Sequence, residues 1–470
     1  MTAGEHPRVR VLIVGAGIAG IEVLLALRAL AGDRVSIAML TPEAELVYRP
    51  VTVAEAFGRA EARSFNLGEI LADQNATHVQ DSLERVDPEA RVVITRSDAA
   101  IPYDALVIAT GAQTTAPLPG ALTFGGRADV PALRALLDEL VDGRARSVAF
   151  AVARGQAWSL PLYELALMTA AHLRENGSDA RVQIVTPEEM PLGIFGPEAE
   201  MAIRPMLSAL GIAIRCSAMP ALVKPRELVL TGGWSVPADR VVTLPHIHGP
   251  RLSGLPSDEH GFVPVDAHGR VGGETDVYAA GDVTTFPLKQ GGLATQQADA
   301  VAEMIAARAG APLHANPFRP VLRGLLITSG APLYLRSEPQ RVPRHTSVAI
   351  DVRRQPRARH SASMASDQAL WWPPAKIAGR YLAPYLATAR PTSLAGEPLV
   401  DRGAISGPRL ADAEYNDAVE LVLLLADGDA GWGDYRSAIS ALEAAEALEG
   451  ALPPEYEAKR ALWLRELEQE

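Results

Sequence analysis

The sequence predicts an α/β fold built on two dinucleotide-binding units, and three segments carry that prediction. The first is Val11-Leu-Ile-Val-Gly15-Ala-Gly17-Ile18-Ala19-Gly20, which continues into the helical pattern Ile21-Glu-Val-Leu-Leu-Ala-Leu. An apolar β-branched run that enters Gly-x-Gly-x-x-Gly and leaves as a helix is the strand–turn–helix unit that receives a pyrophosphate. Gly15 allows the tight turn, Gly17 the approach of backbone to phosphate, and Gly20 the close packing of helix on strand. The helix N-terminus adds free N–H groups and a positive dipole end. The second segment, Tyr103-Asp-Ala-Leu-Val-Ile-Ala109-Thr110-Gly111, reads as a buried strand ending in a small-residue turn. The third, Asp276-Val-Tyr-Ala-Ala-Gly281-Asp282, is another strand, ending in Gly-Asp.

The remaining elements follow in order. The second strand is Arg34 to Leu40, and the residues after it are Thr41-Pro42-Glu43. The fingerprint expects an acidic residue about 20 positions on, at the tip of this strand, to hold a ribose hydroxyl. None stands there, which leaves Thr41 or Glu43 as substitutes. Residues 8–112 are the first part of the first unit. Residues 113–240 form the second, with strands at Ser147–Val152, Val182–Val185 and Gly211–Arg215 and helices at Leu162–Leu173 and Pro197–Leu210. The chain returns to the first unit over 241–316, closing with a helix near Ala294–Ala307. Residues 317–400 are a C-terminal region in which 335–367, rich in Arg, Pro, Ser and His, read as an exposed loop. Residues 401–470 read as an acidic helical tail.

The three motifs, in this order, resemble those of the pyridine nucleotide–disulfide oxidoreductase superfamily. The resemblance implies two Rossmann-like domains of three layers (ββα/βα), the first discontinuous, with FAD as cofactor. It implies that Asp282 hydrogen-bonds the ribityl chain of FAD. Gly15, Gly17, Ile18, Ala19 and Gly20, with Thr41, Arg49, Ala109, Thr110, Gly111 and Gly281, would complete the dinucleotide contacts. Tyr48-Arg49-Pro50 and Lys289-Gln290-Gly291-Gly292-Leu293 resemble segments of the sulfide:quinone oxidoreductase and type II NADH dehydrogenase branch. That resemblance covers about residues 8–310 and places Pro50 near the flavin ring. Reduced flavin is largely an anion, so a cation or helix N-terminus near its pyrimidine end stabilises it. Lys289 and the turn at Gly292 and Leu293 supply both, which makes Lys289 and Pro50 the catalytic candidates; Arg49 has a structural reading as well.

Two departures narrow the function. Where a second Gly-x-Gly-x-x-Gly would stand, the chain reads Ala153-Arg-Gly155-Gln-Ala-Trp158-Ser-Leu-Pro161-Leu-Tyr-Glu164. One glycine remains, Trp158 is bulky, and Pro161 lacks an N–H; a scaffold that has lost its nucleotide is expected, with atypical NAD(P)H binding as the alternative. Cys216 is the single cysteine, so the redox cysteine pair through which sulfide:quinone oxidoreductases work is missing, and Cys216 itself reads as a core residue.

Composition sets further limits. A net charge of −12 argues against a general nucleic-acid binder. Apolar strand residues from Val9 leave no room for a signal peptide, and no run reaches the ~18 apolar residues of a membrane helix. A cytoplasmic protein is expected, with two alternatives for Trp371–Leu386: a peripheral contact with the inner membrane face, or a buried helix that caps the flavin pocket or lines a homodimer contact. His246 and His248 lack a third ligand nearby in sequence; metal binding recedes behind a surface loop, with a proton relay as the remaining reading. No metal is expected. The sequence therefore points to an FAD-dependent oxidoreductase passing electrons from an unidentified donor to a quinone or other small acceptor. The alternatives are an NAD(P)H:acceptor oxidoreductase with an atypical site, and a non-catalytic flavin-binding sensor or assembly subunit.

Overall fold

A computed structural model describes residues 8–155, 158–339, 360–371, 373–389, 391 and 451–469, with the single positions 423, 435, 438, 439, 442, 443 and 446. Two five-stranded parallel sheets form its centre. The first runs in the order Val277–Ala279, Ala105–Ile108, Val9–Val14, Val35–Leu40, Thr77–Val79. Its strands are apolar runs because both faces are covered; all four residues of Ala105–Ile108 are buried. One edge strand comes from residues 277–279, so the sheet closes only after the chain has built the rest of the second unit. Helices Ile18–Ala31 and Gly291–Arg308 lie side by side against this sheet.

The second sheet has the order Leu122–Thr123, Arg240–Thr243, Ser147–Ala151, Arg181–Val185, Ala213–Arg215. Its core joins Phe150 and Ile184 to Tyr163 and Leu167 of the helix Leu160–Glu175. The two chain crossings between the sheets, Gln113–Thr115 and His246–His248, pair antiparallel, with Thr115 opposite His246 and Gln113 opposite His248. The expected surface loop at His246 and His248 is thus a short, half-buried strand, held by the need to pair both connectors at once.

The C-terminal region departs from expectation. Leu333–Pro339 and His360–Ser366 are strands of a three-stranded antiparallel sheet with Leu322–Leu326. Leu335, Arg336 and Ser337 are buried, so the reading of 335–367 as one exposed loop is corrected at both ends; 340–359 lie outside the described residues. The polar composition masked strands whose buried face is formed by only a few residues. The helix expected over Trp371–Leu386 is also shorter, Leu382–Thr388. Trp371, Ile377, Leu382 and Leu386 point inward, and Trp371 packs edge-on against Tyr334 with ring centroids 5.0 Å apart. These side chains are therefore not offered to a bilayer. No helix among the described residues is long and apolar enough to cross a membrane. Most of the 401–450 part of the tail lies outside the described residues; Pro454–Gln469 is a helix.

Candidate functional site

The cradle at the first turn is built as the glycine spacing requires. Gly15 has φ +102°, and a Cβ there would stand 2.5 Å from the carbonyl oxygen of Ala109, on the neighbouring strand's small-residue turn. A Cβ on Gly20 would lie 2.0 Å from the Gly15 oxygen, so helix and turn touch backbone to backbone. At Gly17 a Cβ would meet nothing within 4 Å. The protein leaves that side open, above the first turn of a helix whose leading N–H groups have no intrahelical acceptor. This shape fits a pyrophosphate. Ala109 is tied to the first strand, its N–H donating to Val14 O over 2.8 Å, while Thr110 is exposed and Gly111 takes φ +72°. Thr41 is buried, and its hydroxyl accepts the Glu43 N–H at 3.3 Å; it closes a local turn.

Gly281 sits where two helices begin: a Cβ on it would meet Ala19 Cβ at 3.0 Å and Ala294 Cβ at 3.4 Å. Its N–H donates to Gln297 Oε1 at 2.7 Å, while Gln296 bonds Val321 at both its N–H and its carbonyl. Both glutamines are clamps between elements. The helix Gly291–Arg308 begins with Gln290, whose side-chain oxygen accepts the Leu293 N–H at 2.8 Å; Gly292 and Leu293 are buried in this first turn.

A cavity of about 410 Å³ opens beside these segments. Arg49, Pro50, Asp282 and Lys289 line it, together with Trp158 and Pro161 of the altered turn. Lys289 Nζ stands 3.8 Å above the centre of the Phe262 ring and donates to the Thr284 carbonyl. Burial lowers its pKa to about 8, against the opposing pull of Asp282 and Asp258. Burial likewise raises the Asp282 carboxyl, with Lys289 opposing. The two groups are electrostatic partners inside the cavity, a relation that their separation in sequence does not show.

Lys376 and Ile377 enter the same cavity from the C-terminal region. Lys376 pairs with Glu164, which is wholly buried in the helix Leu160–Glu175 and also accepts the Ile327 N–H at 2.7 Å. Burial raises the carboxyl and lowers the ammonium, and in each case the partner's charge opposes the shift. The Ile377 N–H donates to the Tyr48 hydroxyl at 2.9 Å. Residues 376–377 therefore bridge the second unit to the first across the cavity wall. The 212 positions that separate Glu164 and Lys376 hide their partnership from the sequence.

The second unit's phosphate position is remade. Trp158 packs edge-on against Phe195, with ring centroids 5.5 Å apart. Glu188, just beyond the strand Arg181–Val185, accepts hydrogen bonds from Ser159, Tyr163 and Thr186 at 2.7–2.9 Å. Three hydroxyls of the protein hold this carboxylate. Cys216 is half-buried and does not line the cavity; burial raises its thiol. Among the described residues no cluster of three or more metal-ligating side chains forms.

The pattern of the pyridine nucleotide-disulphide oxidoreductases matches residues 9–151 and 164–303, more than half of the chain. The chain belongs to this family. Its cofactor is FAD, and the protein is a flavin-dependent oxidoreductase. The unmatched interval, 152–163, is the remade turn. An NADH dehydrogenase-like protein of Mycobacterium tuberculosis is 28% identical over 291 residues, 58% of this chain and 72% of that protein. A sulfide-quinone reductase of Aquifex aeolicus is 26% identical over 272 residues, 53% of this chain and 61% of its own length. In fold, the chain is similar to the sulfide:quinone oxidoreductase of Aquifex aeolicus, with a TM-score of 0.66 and 20% identity over 76% of this chain and 86% of that one. It is also similar to a ferredoxin reductase of Rhodopseudomonas palustris, with a TM-score of 0.53 and 22% identity over 71% and 82%.

Proposed function

We propose that this flavoprotein passes electrons from a small donor other than NAD(P)H to a quinone, with the cavity as the place of exchange. FAD, when bound, accepts an electron pair from one partner and releases it to another. The residues that would hold it are Gly15, Gly17 and Gly20, the N–H groups of Ile18 and Ala19, and Asp282. Pro50 and Lys289 line the wall where the ring would lie, and Lys289 supplies positive charge there. The quinone rests on the sulfide-quinone reductase relative and on a cavity wall rich in apolar side chains such as Phe124, Leu160 and Phe286.

The observation that carries the donor reading is the remade turn. Trp158, Pro161 and the occupied Glu188 remove the glycine backbone, an N–H donor and the free carboxylate that a nicotinamide dinucleotide needs. The single Cys216 of the sequence speaks against sulfide chemistry through a cysteine pair. A second reading, an NAD(P)H:acceptor oxidoreductase, is favoured by the NADH dehydrogenase-like relative. Anaerobic titration of the purified yellow protein with NADH, NADPH and sulfide separates the two. The expected result is little bleaching with either nucleotide, and stoichiometric bleaching by NADH would install the second reading. Turnover of a soluble quinone with a panel of small donors tests the acceptor, and its complete absence would leave a flavin-binding sensor.

A further inference from the structure

The one glycine left in the remade turn and the histidine strand meet in the cavity. Gly155 has φ +81°, and a Cβ on it would stand 3.0 Å from His246 Cε1 and 3.4 Å from Nδ1. The turn that would cradle phosphate in a nucleotide-binding unit is thus shaped around an imidazole. His246 is half-buried and lines the cavity beside Trp158 and Leu244. Its ring makes no hydrogen bond to another described residue. Burial disfavours its protonation, and His248 on its own strand and His260 on the facing loop act in the same direction. Asp258 and His260 line the same cavity, and Arg154 on the turn is exposed.

We propose that His246 is the base of the donor site, taking the proton of a small aromatic weak acid, such as an acidic phenol, which is then held as its anion. The inference rests on reading the cavity as the site of electron donation. The aromatic walls Phe124, Trp158 and Phe286 suit a neutral aromatic body on entry. A neutral imidazole at their edge accepts the acidic proton, and the cations Lys289 and Arg49 on the cavity lining favour the anion left behind. The balance is a proton transfer alone. The ligand's O–H bond breaks, an N–H bond forms on the imidazole, and net charge is unchanged; the imidazolium is stabilised by the anion it has created.

The probe is p-nitrophenol, whose anion absorbs at longer wavelength than the neutral form, with p-nitroanisole as the same body without the proton. The test uses the oxidised FAD-loaded protein, below the phenol's own pKa. Bound p-nitrophenol is expected to show the phenolate band, and equilibrium dialysis to show it binding more tightly than p-nitroanisole. In His246→Gln the band is lost and p-nitrophenol affinity falls about tenfold, about 1.4 kcal/mol, while p-nitroanisole changes less than about twofold. Gly155→Ala, which crowds the ring, should weaken the band as well. A phenolate band that persists in a folded His246→Gln protein overturns the proposal. So does equal affinity for the two probes, or no binding of p-nitrophenol at millimolar concentration. Because this readout needs no turnover, loss of quinone reduction with the phenolate band intact would sink the proposed function and leave His246 as the base.

Discussion

At the scale of single residues, Gly17 and Lys289 carry the sharpest expectations. A Cβ on Gly17 meets no protein atom within 4 Å, so Gly17→Val should fold with a melting temperature near that of the wild-type apoprotein. The valine would instead occupy the open side where the pyrophosphate approaches, and the protein should purify colourless. A folded Gly17→Val protein with full flavin occupancy would show that this turn does not hold the cofactor. Lys289 is charged below about pH 8 and neutral above it, because burial lowers its pKa. Lys289→Met should therefore slow flavin reduction and lower the midpoint potential, ~1.4 kcal/mol corresponding to about 30 mV for a two-electron couple. The oxidised protein is the reactant, so the rate gap between wild type and variant should be full at neutral pH and close as pH rises through 8. A gap that is flat with pH would place the lysine's charge away from the reacting ring.

Among elements, the bridge from the C-terminal region to the helix Leu160–Glu175 is the most exposed to test. Glu164→Leu leaves Lys376 buried without its partner and the Ile327 N–H without an acceptor, a loss of ~3–5 kcal/mol. Lys376→Met should cost less, because Glu164 can remain protonated. Its sign with pH is fixed: burial raises the folded carboxyl pKa, so stability holds at low pH and declines as pH rises past the ordinary carboxylate range. The double variant Glu164→Leu/Lys376→Met should be more stable than Glu164→Leu alone. Melting curves of the four proteins at several pH values check the cycle, and strict additivity would deny the pair any coupling. The clamp at Gln297 belongs to the same scale. Gln297→Ala leaves the buried Gly281 N–H unsatisfied, which costs ~1–3 kcal/mol, seen as a lower midpoint in urea.

For the whole molecule, the central question is which partner reaches the cavity. Trp158→Gly restores one small residue to the remade turn, yet Pro161 still lacks its N–H and Glu188 stays held by three hydroxyls. Stopped-flow bleaching by NADH should therefore remain slow in this variant. A jump to rapid bleaching would show that Trp158 alone blocks a nucleotide groove that is otherwise intact.

The sequence by itself determined the fold class, the first cradle and the family. Each of these rests on local constraints, namely an apolar strand, glycines at fixed spacing and a helix start within a dozen residues, and local steric rules act the same way in any chain. It also pointed to Pro50, Asp282 and Lys289 as candidates, because the resemblance assigns them by position in a motif; all three line the cavity. Tertiary structure alone decided what surrounds them. Glu164 with Lys376, Tyr48 with Ile377 and Gly155 with His246 are pairs formed by sheet closure and chain return. No periodicity encodes such contacts between residues so distant in sequence. The strands within 335–367 were hidden for a related reason: their buried faces are short and partly polar, so composition reads them as loop until a neighbouring strand supplies the pairing. The same holds for Trp371–Leu386, whose aromatic spacing could equally serve a bilayer or a core. Only the tertiary packing, with Tyr334 against Trp371, puts Trp371, Ile377, Leu382 and Leu386 in the core.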